Sequence, residues 1–240
     1  AYARDRFVNV VPEIEMPGHA VAAIAAYPEL GVDGTPTAVA THWGVFDNIL
    51  NPDAATIRFM EDVLTEVMEL FPSRFIHVGG DEADKTRWKA SPRVQARIKE
   101  LGLKGEDELQ SWFIHQIDAF LTAKGRRLVG WDEILEGGLA PGATVMSWRG
   151  IKGGIAAARD GHDVVMAPTS HTYFDYYQSK DEEREQLAIG GFLPLETVYA
   201  YEPLPADLEP QFARHILGAQ GQLWTEYLKT PKHVEYMAYP

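Results

Sequence analysis

The stretch RFIHVGGDE, residues 74–82, runs from a short apolar segment into two glycines and two adjacent carboxyl side chains. Similar apolar runs recur along the chain, and segments with helical periodicity separate them. The six runs are Phe7–Val11, Arg74–Val78, Arg127–Gly130, Thr144–Trp148, Asp163–Ala167 and Ile216–Trp224. Short runs that are rich in β-branched residues and do not alternate are typical of strands buried on both faces of a parallel sheet. The pattern therefore predicts a parallel α/β architecture.

The segments between the runs carry residues that favour helix boundaries. Asp53 is a candidate N-cap for the first long helix. Ser91-Pro92 is typical of a cap followed by the first helical residue, and Gly102 is suited to end that helix. A further helix is predicted over Glu106–Lys124, with Gly125 after it. The helix after Asp53 has one apolar face, formed by Ile57, Met60, Val63, Leu64, Val67 and Leu70.

The number of runs leaves the topology open. A closed (β/α)8 barrel of the TIM type needs eight strands, and only six candidates are present. Either two strands lie outside this sequence, or the fold is an open sheet. The pattern alone favours neither interpretation.

Composition limits the classes of partner. The 240 residues contain 22 Lys and Arg against 35 Asp and Glu, a net charge of −13, and no basic cluster. Nucleic acid and other polyanions are therefore not expected as partners, because their binding depends on Lys and Arg clusters. No run is long enough for a membrane-spanning helix, and no basic-then-apolar leader precedes Phe7. The absence of cysteine excludes disulfides and thiolate metal sites without fixing the compartment.

Acidic and aromatic residues directly follow five of the runs. These segments are Pro12–His19, His77–Glu82, Gly130–Glu133, Ser147–Gly150 and Leu223–Tyr227. In α/β barrels the active site is built at the C-terminal ends of several strands. Five such segments together are more than packing requires, so they predict a functional site at that edge.

Asp81 and Glu82 are the strongest candidates for catalytic residues within these segments. Gly79-Gly80 allows a sharp bend or a close approach of the backbone just before them. Neighbouring carboxyl groups raise each other's pKa, which suits one of them to act as a general acid. A turn followed by a capped helix would use the same residues, so the local sequence leaves a structural role equally open.

Aromatic and histidine residues supply further candidates. Trp131, Trp148 and Trp224 each end an apolar run, where an indole face could support the C–H face of a sugar ring. Tyr173 and Asp175 belong to an aromatic and acidic cluster after the fifth run, for which a solvated loop is the alternative. The histidines show no HExxH or comparable spacing, so no metal site is predicted. Phosphate-binding and dinucleotide-binding fingerprints are absent as well, and no cofactor is expected.

The motifs EIEMPGH, HVGGDE, GWDE, SWRG and LWTEY, taken in this order and spacing, resemble glycoside hydrolase family 20. The resemblance runs from about residue 5 to the end of the sequence. It implies a (β/α)8 TIM-type barrel of which the chain supplies roughly strands 3 to 8, as one catalytic domain over residues 1–240. It also implies hydrolysis of terminal β-linked N-acetylglucosamine or N-acetylgalactosamine with retention at the anomeric carbon.

The resemblance also implies a role for each matching residue. Glu82 is expected to be the general acid/base, and Asp81 the residue that orients the acetamido group of the substrate. That group would itself attack the anomeric carbon and form an oxazolinium intermediate. The expected sugar-binding residues are His19, Trp131, Trp148, Tyr173, Asp175, Trp224 and Glu226. Tyr173 would donate a hydrogen bond to the acetamido oxygen, while Asp175 and Glu226 would contact sugar hydroxyls.

Two departures from the family accompany this resemblance. Glu15 stands where the family motif usually has Asp, a change of one methylene that we expect to be tolerated. Family members also have two earlier strands, one of which carries an arginine that grips the terminal sugar, whereas only six residues precede the first run here. A carbohydrate binder without turnover is therefore the main alternative, and a metal-dependent barrel hydrolase is a third. The family suggests a periplasmic or secreted location, and the sequence fixes neither the preferred hexosamine nor the oligomeric state.

Overall fold

The computed structural model describes residues 1–181 and 183–239, which divide into two compact units, Ala1–Thr144 and Val145–Pro240. The first unit contains the parallel strands β1 (Phe75–His77) and β2 (Arg127–Trp131), paired so that Ile76 lies opposite Leu128. Both strands are buried, as the non-alternating pattern predicted. Their short length and parallel direction require the connection between them to cross over, and helices make that connection.

Five α-helices and three 3-10 turns complete the first unit. The helices are α1 (Val21–Ala26), α2 (Ala54–Leu70), α3 (Thr86–Ala90), α4 (Pro92–Glu100) and α5 (Glu106–Ala123). The 3-10 turns are Arg4–Arg6, Pro28–Leu30 and Asp132–Leu135. Helix α5 packs on β2 and on α2, and its first turn carries three acidic residues that complement the helix dipole.

The predicted helices are present, with one correction at a cap. The Ser91 hydroxyl accepts a hydrogen bond from the Val94 amide at 3.4 Å, which confirms the N-cap of α4. Asp53 occupies the cap position of α2 but makes no capping bond, because its carboxylate pairs with Arg93. On the predicted apolar face of α2, Ile57, Met60 and Leu64 are buried. Leu70 is exposed, because the helix ends there.

The prediction of a first strand over Phe7–Val11 is wrong. Residues 7–11 form no strand, and their large apolar side chains are exposed, with Phe7 fully so. The amides of Phe7 and Val8 donate instead to the turn carbonyls of Arg4 and Ala3. Parallel pairing with β1 starts only at Pro12, whose carbonyl accepts from the His77 amide at 2.9 Å.

The second unit contains three parallel strands. They are β3 (Thr144–Ser147), which begins at the boundary, β4 (Val164–Met166) and β5 (Ile216–Ala219). Val164 is opposite Val145 on β3 and Ile216 on β5, and the register with β5 shifts after Val164. The strand from Ile216 is shorter than the predicted run to Trp224. The helical elements are α6 (Lys152–Arg159), α7 (Thr169–Thr172), α8 (Leu195–Tyr199), α9 (Pro231–Ala238) and the 3-10 turn Pro210–His215.

Strand–helix alternation with parallel pairing within each unit confirms the predicted α/β class. The assignment of residues 1–240 to one domain stays a prediction. Among the described residues, no helix combines the length and apolarity needed to cross a bilayer.

A buried asparagine organises the start of α2. The Asn51 side-chain amide donates to the carbonyls of Glu29 and Gly31, at 2.7 and 3.0 Å. Its carbonyl oxygen accepts from the Asp53 amide at 3.0 Å and from the Thr56 hydroxyl at 2.6 Å. Asn51 is only 1% exposed, so each of these bonds replaces one that water would otherwise supply.

Replacing Asn51 with alanine should therefore lower the free energy of unfolding by about 3 kcal/mol, because several buried polar groups lose their partner at once. Urea unfolding followed by circular dichroism measures the change. The half-buried Asn48, changed to alanine in parallel, should cost no more than about 1 kcal/mol. Equal effects of the two substitutions would show that the Asn51 bonds do not organise this region.

Candidate active site

The chain leaves β1 through a turn that neighbouring groups hold firmly. The side-chain amide of Gln110, on α5, donates to the carbonyl of Gly80 at 2.6 Å. The backbone amide of Trp131, at the end of β2, donates to the carbonyl of Gly79 at 2.9 Å. These bonds fix the path of the two residues before the acidic pair, and so fix where that pair emerges.

Gly79 is required by both conformation and space. Its φ of 68° lies in the left-handed region that side chains disfavour. A Cβ built on Gly79 would lie 1.7 Å from the Oε2 atom of Glu15, so a side chain there would force the Glu15 carboxyl group to move. The glycine therefore makes room for the Glu15 carboxyl group against the end of β1.

Asp81 and Glu82 converge on His19. The His19 Nε2 atom lies 3.3 Å from the Oδ2 atom of Asp81 and 3.4 Å from the Oε2 atom of Glu82. The exposed fractions of these side chains are 30% for His19, 16% for Asp81 and 38% for Glu82. The three groups thus form a partly open polar cluster, in which Asp81 is the most enclosed member.

Two residues of the same cluster have backbone conformations that side chains disfavour. His19 and Glu82 have φ values of 49° and 47°, and Phe7 is the other non-glycine residue with positive φ in the described chain. Such conformations cost about 1–3 kcal/mol each and are concentrated at functional sites. Two of them facing each other across a carboxyl–imidazole contact indicate a geometry that the surrounding structure enforces.

The electrostatics favour the imidazolium form of His19. Its hydrogen bond with Asp81 raises the pKa of His19, and the charges of Asp81 and Glu82 act in the same direction against the opposing effect of burial. A protonated ring can donate to only one of the two carboxylates through Nε2 at a time. His19 therefore links the two acids while neutralising part of their repulsion.

A second group of polar side chains lies behind the cluster. The Trp131 indole N–H donates to the Oε1 atom of Glu13 at 2.9 Å, and the same oxygen lies 3.2 Å from Nδ1 of His77. The Gly79 amide also lies 3.0 Å from that Nδ1 atom. Burial lowers the pKa of His77, which favours the neutral ring.

Glu15 lies between this group and Asp81. Its carboxyl group is within hydrogen-bonding reach of both Asp81 and Glu13. Burial, followed by the negative charge of Asp81, raises the pKa of Glu15 to about 11. These effects favour the protonated, neutral form of Glu15.

The first unit thus brings together some predicted site residues and some that the sequence analysis did not recognise. Asp81, Glu82 and His19 meet as described. Trp131 is close to them in the network, but its ring is 2% exposed, packed edge-on against His77 with centroids 4.9 Å apart, and not an open platform. Glu13 and His77 were not predicted as site residues. Positions 13 and 15 share one side of an extended segment that leads to His19, and that alternation is the signal that could have indicated them.

The other predicted residues lie in the second unit. The rings of Trp148 and Tyr173 are stacked, with centroids 6.4 Å apart and planes 29° from parallel. Tyr173 pairs with Gln222 by a parallel bridge, which sets the chain after β4 beside the chain after β5. Trp224 is 36% exposed and Glu226 is exposed, so solvent reaches both side chains.

Asp175 is the most unusual acid of the second unit. It is 2% exposed, and its Oδ1 atom has no hydrogen-bond partner among the described residues. Burial, assisted by the negative charge of Glu226, raises the pKa of Asp175 to about 7. A buried carboxyl group with an unused oxygen is suited to bind a hydroxyl group.

The cluster could also be considered for a metal. His19, Asp81 and Glu82 offer ligand atoms that all lie within 4.8 Å of one another. The same spacing follows from the hydrogen bonds that His19 makes with the two carboxyl groups, so it does not by itself assign an ion. The prediction that the site works without a metal stays a prediction.

A parallel α/β fold with carboxyl groups gathered at a strand end is an arrangement found in barrel-type glycoside hydrolases. Residues 1–240 match the profile of the catalytic domain of glycosyl hydrolase family 20. A beta-hexosaminidase of Porphyromonas gingivalis is 54% identical over 241 residues, which cover 100% of this chain and 31% of the relative. A beta-hexosaminidase of Vibrio furnissii is 38% identical over 244 residues, covering 100% of this chain and 40% of the relative.

Comparison with solved structures points to the same family as the sequence relatives. The exo-β-N-acetylglucosaminidase of Vibrio harveyi, solved in complex with N-acetylglucosamine, is 33% identical with a TM-score of 0.84. The match covers 100% of this chain and 38% of that chain. The chain belongs to glycosyl hydrolase family 20, and the predicted TIM-type fold class is confirmed. It spans between 31% and 40% of the length of the two curated relatives.

The raised pKa of His19 predicts how stability depends on pH. Because the folded-state pKa lies above the ordinary value of 6.5, the stabilisation from His19 is complete below pH 6.5 and is lost as pH rises through the folded-state pKa. The difference in unfolding free energy between the protein and its His19→Gln variant should therefore shrink with rising pH. Urea unfolding of both proteins at each pH between about 5 and 9 measures it. A difference that grows with pH would contradict the assigned ion pairs.

Proposed function

We propose that the protein carrying this chain hydrolyses terminal β-linked N-acetylhexosamine residues through participation of the substrate's own acetamido group. The observation that carries the proposal is the pair Asp81 and Glu82, held by His19 at the end of β1 with different exposure. The family membership supports it. The beta-hexosaminidase names of the relatives and the N-acetylglucosamine in the Vibrio harveyi structure support the substrate class.

The proposed reaction has two steps. In the first, the acetamido carbonyl oxygen attacks the anomeric carbon while the bond to the leaving oxygen breaks, and Glu82 donates its proton to that oxygen. The product is a cyclic oxazolinium ion with its charge shared over the ring. In the second step, water attacks the anomeric carbon, Glu82 accepts a proton from it, and the ring opens to restore the acetamido group. Two inversions at one carbon give net retention.

The difference in environment explains why two adjacent acids take different roles. Asp81 is the more enclosed, with 16% of its side chain exposed, and it is fixed by contacts with His19 and Glu15. A fixed carboxylate is suited to hold the acetamido N–H and to stabilise the positive charge that develops on the oxazolinium ring. Glu82, 38% exposed, is suited to exchange protons with a leaving group and with water.

The second unit supplies the groups that we assign to sugar recognition. Tyr173 would donate its hydroxyl to the acetamido oxygen, and Asp175 and Glu226 would bind ring hydroxyls. The stacked faces of Trp148 and the exposed ring of Trp224 would contact the apolar C–H groups of the sugar. In the first unit we assign His19 to substrate binding next to the two acids. Trp131 would contribute from its buried position, where its indole N–H donates to Glu13.

Substitution of the two acids tests the proposal. With 4-nitrophenyl N-acetyl-β-glucosaminide, Glu82→Gln should lower kcat by about 10²–10⁴-fold, because the attacking water loses its base and the leaving oxygen loses its proton donor. The loss should be larger with an N-acetylglucosamine disaccharide, because a sugar leaving group needs protonation more than a nitrophenolate does. Asp81→Asn should lower kcat with both substrates to a similar extent, because it acts on the acetamido group. Initial rates on both substrates measure these effects.

Glu69→Gln makes the same chemical change on the exposed face of α2 and serves as the matched control. It should leave both rates unchanged. A folded protein that binds N-acetylglucosamine but does not turn over either substrate would show a carbohydrate binder instead. Turnover that survives both Glu82→Gln and Asp81→Asn would exclude the assigned chemistry.

A further inference from the structure

Three carboxyl groups lie close together in the first unit. Glu15 is within hydrogen-bonding reach of both Glu13 and Asp81. Its carboxyl group occupies the space beside Gly79 that a side chain at that position would need. The Oε2 atom of Glu15 and the Oδ1 atom of Asp81 are buried, and neither has a hydrogen-bond donor among the described residues.

Three touching carboxylates cannot all carry a charge in a partly buried site, so at least one must hold a proton. The other two groups already have neighbours that can donate a hydrogen bond to them. Glu13 accepts from the Trp131 indole at 2.9 Å, and Asp81 faces the His19 imidazole at 3.3 Å. Glu15 has no such donor for its Oε2 atom in the part of the chain that the structure describes. A proton on Glu15 would therefore create a hydrogen bond, whereas a proton on Glu13 or Asp81 would disturb one.

We propose that Glu15 is a positioning residue that acts as a neutral acid, donating its O–H to the Asp81 carboxylate and holding that carboxylate ionised and aimed. This proposal rests on the proposed function for the role of Asp81, but the protonation of Glu15 can be tested without any turnover. The path of the chain makes the arrangement possible: Gly79 leaves the space, and the extended segment through Glu15 delivers the carboxyl group into it.

Several ionisable groups surround the Glu15–Asp81 contact. Glu13 faces Glu15 from the same extended segment, and His77 lies on the β1 side in its neutral form. His19 and Glu82 border Asp81 from the outer side. Burial raises the pKa of Glu15 to about 11, which agrees with a proton retained through the neutral range. Among these groups, Glu15 alone combines a large upward shift with the absence of an outside donor for its Oε2 atom.

Infrared difference spectroscopy tests the proton directly. The spectrum of the protein minus that of its Glu15→Gln variant, at neutral pH, should contain the C=O stretch of a neutral carboxylic acid, which moves in D₂O. The control difference with Glu69→Gln should contain carboxylate bands and the bands of the new glutamine, but no neutral-acid band, because Glu69 is exposed. The same result in the Glu15 difference would overturn the proposal, whether or not the protein is an active hexosaminidase.

Kinetics test the effect on Asp81. Glu15→Gln keeps a neutral donor of similar size, so kcat/KM should change by less than about 10-fold and the acidic limb of its pH profile should stay in place. Glu15→Met keeps the volume but removes the donor, so the ionised form of Asp81 loses a hydrogen bond. The acidic limb should then move to higher pH, with kcat lower by about 10- to 100-fold.

The opposite protonation state makes a different prediction. If Glu15 were ionised, Glu15→Gln would remove a negative charge next to Asp81, and the acidic limb would move to lower pH. That shift, or identical profiles for the Gln and Met variants, would overturn the proposal. Near-ultraviolet circular dichroism tests whether each variant is folded. If Glu15→Met does not fold, the infrared difference spectrum of Glu15→Gln alone tests whether Glu15 is protonated.

Discussion

A short parallel ladder beside β1 sets the positions of Glu13 and Glu15 in the first unit's site. The His77 amide donates to the Pro12 carbonyl, the Ile14 amide to the His77 carbonyl, and the Met16 amide to the Val78 carbonyl, all at 2.9–3.0 Å. Because side chains alternate along an extended segment, this register turns positions 13 and 15 to one side together. A slip of one residue would turn both carboxyl groups away and leave the space at Gly79 empty. The cluster therefore depends on a few backbone bonds more than on any single side-chain contact.

Much of the fold could be predicted from the sequence because helix boundaries and buried strands leave local signals. Ser91 caps α4 as expected, and the runs starting at Arg74 and Arg127 contain β1 and β2. The predictions that proved wrong concern residues whose structure depends on contacts with distant parts of the chain. Residues 7–11 have strand-like composition, yet only the segment from Pro12 onward pairs with β1. Asp53 has the side chain of a cap, but its ion pair with Arg93 takes the carboxylate away.

The site shows the same division between local and distant information. Asp81 and Glu82 could be recognised because they are adjacent in sequence and follow two glycines. The contact between Glu15 and Asp81 could not, because the two residues are far apart in the chain and meet only through the ladder. A sequence also shows a carboxyl group without showing whether it is ionised. The raised pKa values of Glu15 and Asp175 both follow from burial and from neighbouring charges that only the folded chain brings together.

In the proposed reaction the adjacent acids serve a substrate whose own acetamido group is the nucleophile. A series of 4-nitrophenyl β-glucosaminides whose N-acetyl group carries none, one, two or three fluorine atoms tests this through kcat/KM. Fluorine withdraws electrons from the carbonyl oxygen and weakens it as a nucleophile, so kcat/KM should fall steeply and regularly along the series. A kcat/KM that is insensitive to fluorination would show instead that a group of the protein, or water, attacks the anomeric carbon.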